Sequence, residues 1–402
     1  MDLAIGGRAT AMISSSVIEL DRSALRDNLR FIKAQMNPAV HFCSVIKGNA
    51  YGHGIRSFLP MAESLGVESF AVFDAMEALA AYQARTREDT RIIVMGALPD
   101  DALAWAIEHD ISFFVFDAER LAKACSLAKS IRHPARIHLE LETGLNRTGF
   151  AESELGQVLD TAKQAGDLLR LEGICTHLAG AESIANYYRI QQQIEQFRKL
   201  TRSLKDRGFE PRWYHAACSA AIIRYPETQY DMVRCGIMQF GFWPSPETRM
   251  AYVLGQQKLQ SNNMRFVDPL RRVMRWKSTV MSIKHVSAGS YVGYGNAFLS
   301  TKDMKLAGVP VGYFHGYSRR LSNAGYVLIR GTRAGVVGII NMHMLMVDVT
   351  HLPDLKRGEE VVIIGKQKNN KISVQSFSEM TQLLNYEVLV SIPSEIPRVV
   401  VN

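Results

Sequence analysis

Lys47 ends a short apolar run, HFCSVIK (41–47), and is followed at once by Gly-Asn-Ala-Tyr-Gly-His-Gly. A lysine set among apolar residues and small turn formers is open to desolvation. Loss of water disfavours the ammonium, lowers its pKa and frees the amine for imine chemistry. The glycine behind it permits a positive φ or a close backbone approach. An isolated lysine at a strand end is more often a solvated charge. The five cysteines are odd in number and form no C-x-x-C pair, which argues against a disulfide framework and a zinc knuckle. No metal site is expected, and a reducing cytoplasm fits best.

Such groups must be carried by a scaffold, and the apolar pattern predicts one. The chain has 402 residues, enough for two domains or a barrel with an extension. VIEL (17–20) reads as a strand, with Asp21 as N-cap of a helix running to about Met36. Short apolar runs then recur at 41–47, 69–73, 91–96, 111–116, 136–141, 169–177, 212–216 and 232–237, with helical stretches such as DAMEALAAYQA and DALAWAIEH between them. That alternation predicts a (β/α)₈ barrel, whose reactive groups belong at the C-terminal strand ends. A doubly wound sheet would usually show G-x-G-x-x-G after its first strand, and none is there. From about residue 270 the runs WKSTVMSIKHV, KLAGVPVGYF, GYVLIRG, RAGVVGII, HMLMVDVT and EEVVIIG predict a mostly β domain, with the linker inside 245–272. The expected division is an N-terminal extension (1–16), a barrel (17–255) whose first strand joins the other domain, and a C-terminal β domain (256–402). Lys and Arg (47) exceed Asp and Glu (39) without forming a block of like charge, so a nucleic-acid partner is not expected. No run is long and apolar enough for a membrane span.

At VIKGNAYGHG the sequence resembles the cofactor-binding motif of the alanine racemases, PLP (pyridoxal 5′-phosphate) enzymes with an N-terminal barrel and a C-terminal β domain. The resemblance continues in order through ETGLNRTGF (142–150), THLAGAE (176–182), HAACSAA (215–221), DMVRCGI (231–237), VGYGNAF (292–298), VPVGYFHGYSRRLSN (309–323), GIINMHMLMVDVT (338–350) and NYEV (385–388). It implies that Lys47 binds PLP covalently and moves the Cα proton on one face. Tyr294, from a partner subunit of a homodimer, would be the acid/base on the other face. It further implies Arg234 at the pyridine nitrogen, with His177 near the ring and His215 positioning the arginine. Tyr51, Ser219 and Tyr386, with the backbone N–H groups of Gly236 and Ile237, would hold the phosphate. Arg147, Met342 and Tyr313 would meet the amino-acid substrate or border its entrance.

The chain also departs from the family pattern. Glu142 stands where an Asp is usual, Cys218 and Cys235 replace an Asn and a Pro, and His343 and His315 replace polar residues near the entrance. Glu140 stands where many members carry a lysine modified by carbon dioxide, and its charge is expected to orient Arg147. The reading is a PLP-dependent amino-acid racemase with alanine as default substrate. The alternatives are a racemase for other amino acids, a decarboxylase of barrel architecture, and a PLP-binding protein with little turnover.

Overall fold

The structure, a computed structural model, describes residues 14–259 and 266–402. Residues 1–13 of the expected extension and 260–265 of the expected linker lie outside the described residues. The chain separates into two compact units: one of Ala24–Lys47 with Leu59–Arg271, the other of residues up to Ser23, Gly48–Phe58 and Arg272 onward. The opening strand β1 (Ser16–Asp21) belongs to the second unit.

The first unit is the barrel. Its strands are β2 (His41–Val45), β3 (Ser69–Val72), β4 (Arg91–Val94), β5 (Ser112–Val115), β6 (Ala135–Glu140), β7 (Leu169–Cys175), β8 (Trp213–His215) and β9 (Met232–Cys235). They lie parallel in the order β8-β7-β6-β5-β4-β3-β2-β9. β8 and β9 meet where Asp231 N donates to Tyr214 O at 3.0 Å and Arg234 N donates to Ala217 O at 3.0 Å, which brings the sheet close to a full ring. Strands covered on both faces can be continuous apolar runs, and β3 and β5 are buried along their whole length. The helices begin where the sequence offers caps. The Asp74 side chain accepts from Glu77 N at 2.9 Å to open Ala75–Ala84, and Asp117 does the same for Ala118–Ile131 through Arg120 N at 2.8 Å. Pro246–Leu259 is a helix that runs through the boundary expected at 255/256.

The second unit holds the remaining strands: β10 (Met274–Thr279), β11 (Ser282–Val286), β12 (Met304–Val309), β13 (Tyr326–Ile329), β14 (Thr332–Val337), β15 (Leu345–Asp348), β16 (Glu360–Gln367), β17 (Asn370–Ile372) and β18 (Arg398–Val401). With β1 they form a ten-stranded sheet in the order β11-β12-β15-β14-β13-β16-β10-β1-β18, with β17 beside β16. The single run read at 276–286 is two strands, separated at Val280 and Met281. β13 and β14 make a hairpin closed by Arg330 (φ 54°) and Gly331 (φ 81°), both left-handed as a tight two-residue hairpin turn requires.

The segment that follows Lys47 is the least ordinary part of the backbone. Gly48, Asn49, Ala50, Tyr51 and Gly52 all have positive φ, between 50° and 74°, so the chain makes a left-handed helical turn. Each non-glycine residue in that region costs about 1–2 kcal/mol, so the turn must be held from outside. Gly52 N donates to Gly48 O at 2.9 Å and Gly54 N to Asn49 O at 2.8 Å. The Asn49 side chain accepts from Ile55 N at 2.9 Å, and buried His53 turns its Nδ1 to the carbonyls of Ala50 and Tyr51 at 3.1 and 2.9 Å. Arg398, at the start of β18, donates to Gly52 O through Nη2 at 2.9 Å. A Cβ on Gly52 would lie 2.0 Å from Leu389 O, so this position admits glycine alone.

Gly52→Ala should therefore destabilise the protein by about 1–3 kcal/mol, read as a lower urea midpoint. A midpoint equal to that of the parent would show that the turn is not held against Leu389.

Candidate active site

The barrel gathers its charged groups at the C-terminal ends of its strands. Lys47 lies just past β2 and Arg147 in the loop after β6, while His177 follows β7 and Arg234 stands on β9. The Lys47 side chain is reachable from solvent. Desolvation by the surrounding protein nonetheless pulls its pKa below the ordinary lysine value, helped by the positive charges of Arg147 and Arg234 and opposed by Glu77. His177 is pushed down to about 3 by burial and then by Arg234, Arg147 and Lys47. These four groups therefore feel one another, and His177 is neutral at physiological pH.

Arg234 is 6% exposed and, among the described residues, no carboxylate ion-pairs with it. Its Nη1 donates to His215 Nδ1 and to His215 O at 3.2 Å, and its Nη2 donates to Thr176 O at 2.8 Å. The structure thus brings His215 onto Arg234 as the sequence reading expected. Ser219 opens the segment Ser219–Arg224 just past β8, and its Oγ accepts from Gly236 N at 2.9 Å while lying 3.6 Å from Cys235 Sγ. The Gly236 N–H is thus engaged by Ser219, and Ile237 begins the next turn. Cys218 and Cys235 carry thiols whose pKa is raised by burial, that of Cys235 to about 12, so they add no charge here.

Glu140, at the end of β6, departs from expectation in its partner. Its carboxylate accepts from Thr148 Oγ1 at 2.8 Å, and no bond joins it to Arg147 among the described residues. Burial raises its pKa, with the Thr148 bond and the charges of Arg234 and Arg147 opposing. Its effect on Arg147 is through space. Glu142 instead shapes the loop that carries Arg147, accepting from Gly144 N and from Asn146 N at 2.8 Å.

The other expected residues lie on the second unit. Tyr51 sits on the left-handed turn with its ring 5.9 Å from that of Tyr386. Tyr294 is 72% exposed on a loop whose flanking Gly293 and Gly295 have φ of 74° and 70°. Tyr313 and Met342 are brought together, because Tyr313 N donates to Asn341 O at 3.1 Å and Phe314 N to Met342 O at 3.0 Å. Their neighbours His315 and His343 pack ring against ring at 5.5 Å, with Phe314 4.9 Å from His343. Sequence reasoning missed one residue, His138, whose Nδ1 lies 2.9 Å from His215 Nε2. The available signal was a histidine inside the apolar run RIHLEL, on the same strand as Glu140.

Lys47, Arg147 and Arg234 give the barrel end a positive excess over Glu77 and Glu140. A buried guanidinium with no ion-paired carboxylate among the described residues, a lysine of lowered pKa and the Ser219 hydroxyl fit an anionic, imine-forming ring such as PLP and an amino-acid carboxylate. The alanine racemase N-terminal domain model matches residues 20–244 and the alanine racemase C-terminal domain model residues 273–400. The chain belongs to the alanine racemase family. An alanine racemase of Leptospira interrogans is 32% identical over the full length of both chains. Alanine racemase 1 of Caldanaerobacter subterraneus is 34% identical over 95% of this chain and 94% of its own. Among solved structures, the Clostridium difficile alanine racemase superposes with a TM-score of 0.86 at 29% identity, covering 97% of this chain and 96% of that one. The family comprises PLP-dependent isomerases that interconvert L- and D-alanine, and this chain is an enzyme of that family.

His53, His138 and His215 are fully buried, and burial holds their pKa values down, to about 4 for His53, to about 3 for His138 and well below the usual value for His215. In the unfolded chain each takes up a proton near pH 6.5. Their neutral burial contributes stability that is complete above about pH 6.5 and is lost as pH falls toward 4. Unfolding free energies measured between those limits should decline by up to about 1.4 kcal/mol per pH unit per histidine. A flat profile would show that these rings protonate within the native fold.

Proposed function

We propose that the chain racemises alanine by a two-base mechanism, with Lys47 and Tyr294 as the catalytic acid/base pair in a cytoplasmic homodimer that shares its active sites. The observation that carries this is Lys47 Nζ, at the mouth of the barrel, with its pKa depressed by desolvation and by Arg147 and Arg234. Lys47 would hold PLP through its amine, and the hydroxyls of Tyr51, Ser219 and Tyr386 would hold the phosphate with the backbone N–H of Ile237, the expected Gly236 N–H being engaged by Ser219 Oγ. Bound PLP withdraws electrons from the amino acid and acidifies its Cα–H.

The chain's own residues supply the rest. Arg234 stays protonated and so would donate a hydrogen bond to the ring nitrogen without giving up a proton. Arg147, exposed and without a carboxylate partner among the described residues, receives the substrate carboxylate. The neutral His177 packs at the ring without adding charge. Inversion requires deprotonation on one face and protonation on the other. Lys47 Nζ serves one face, and Tyr294 of the partner subunit serves the opposite one through its hydroxyl. The exposure of Tyr294, with Tyr291 at 57% and Leu299 at 46% on the same loop, supports a surface that a second copy covers. Tyr313 and Met342 border the substrate, and the imidazole pair His315 and His343 beside them favours a second reading, a broader range of amino acids.

Two experiments test this. Borohydride reduction of the holoenzyme should fix the cofactor on the peptide containing Lys47, and label on another lysine would remove the assignment. Refolded mixtures of Lys47→Ala and Tyr294→Phe chains should regain activity, because some heterodimers carry one intact site. Heterodimers seen by mass spectrometry without any gain in rate would rule out shared sites. A chiral assay over several amino acids separates alanine from the broader range.

A further inference from the structure

Inside the barrel the Arg234 guanidinium faces groups that can only accept. Besides Thr176 O and His215 O, it donates through Nη2 to Ala216 O at 3.4 Å and through Nη1 to His215 Nδ1. A guanidinium offers donors and no acceptor, so His215 Nδ1 carries no proton. The fully buried His215 ring is neutral, so its proton sits on Nε2. That Nε2 lies 2.9 Å from His138 Nδ1, which must then accept, leaving His138 with its own proton on Nε2. The His138 Nε2–H is buried and has no partner among the described residues. Arg234 thus sets every proton position along the chain of three side chains.

The surroundings are built for this contact. A Cβ on Gly173 would stand 2.1 Å from His138 Nδ1 and 2.8 Å from His215 Nε2, so the imidazoles meet only because β7 carries glycine there. The Phe114 ring lies 5.7 Å from His138 and 5.9 Å from His215, and Trp213 stacks on His138 with planes 13° apart. These neighbours offer no competing acceptor for the His215 Nε2–H.

We propose that His138 is a positioning residue: it accepts from His215 Nε2, fixes that ring with Nδ1 toward Arg234, and so holds the guanidinium in place toward the cofactor ring. Without an acceptor at Nε2, the His215 N–H is left buried and unpaired, and the ring loses the contact that fixes its plane against Arg234. The proposal rests on Arg234 meeting the ring nitrogen, as in the proposed function.

Histidine-selective ¹⁵N labelling of the holoenzyme reads the tautomers directly. The expected spectrum shows His215 and His138 both neutral and both protonated on Nε2. A His215 protonated on Nδ1, or as imidazolium, overturns the lock without any variant. His138→Leu, which offers no acceptor, should leave the His215 Nε2–H unpaired and so move its ¹⁵N–¹H resonance, shift the visible band of bound PLP and weaken PLP binding about tenfold. His138→Gln keeps a side-chain acceptor and should retain the parent band and affinity. A His138→Leu protein with the parent His215 resonance and the parent band overturns the proposal. Should Arg234→Lys leave the cofactor band and affinity unchanged, the reading of Arg234 at the ring falls, while the tautomers seen in the parent stand on their own.

Discussion

A guanidinium that cannot be neutralised is buried in the barrel with no ion-paired carboxylate among the described residues, and the surrounding side chains are arranged around that fact. Burying such a charge is costly unless every N–H finds an acceptor. At Nη1 and Nη2, Arg234 meets the requirement with backbone carbonyls at the ends of β7 and β8 and with one imidazole. Those carbonyls point correctly only because the strands are parallel and in register, Cys175 opposite His215 and Cys43 opposite Arg234. The same positive charge lowers the pKa of Lys47 and His177. One buried cation therefore links sheet register, the protonation of its neighbours and the preference of the site for an anion.

The barrel was legible because its signal is repetitive. Each of the eight apolar runs became one parallel strand, since a strand covered on both faces needs only uninterrupted apolar residues. Caps such as Asp74 and Asp117 were readable by the same logic. The 276–286 run misled because nothing apolar changes at Val280, where the chain passes from β10 to β11, two strands that do not pair with each other. The family resemblance placed the candidate residues where strands end, yet the partners of those residues were hidden. Glu140 carries a charge that sequence can count, but its bond to Thr148 depends on how the loop after β6 folds back. His138 meets His215 across β7, through a gap that only Gly173 leaves, and a contact between distant strands has no local signature. The left-handed turn was equally hidden beyond its first glycine, because Asn49, Ala50 and Tyr51 adopt that conformation only under outside constraint.

That constraint reaches far along the chain. Arg398 donates to the Gly52 carbonyl across a sequence separation of 346 residues, and Leu389 closes on the same glycine. Contacts of such length form late in folding, because the loop they close must be ordered first. During synthesis the barrel strands can assemble long before residue 398 has left the ribosome. The turn behind Lys47 lacks the Arg398 and Leu389 contacts until then and rests on its local bonds alone, those of Gly48, Asn49 and His53.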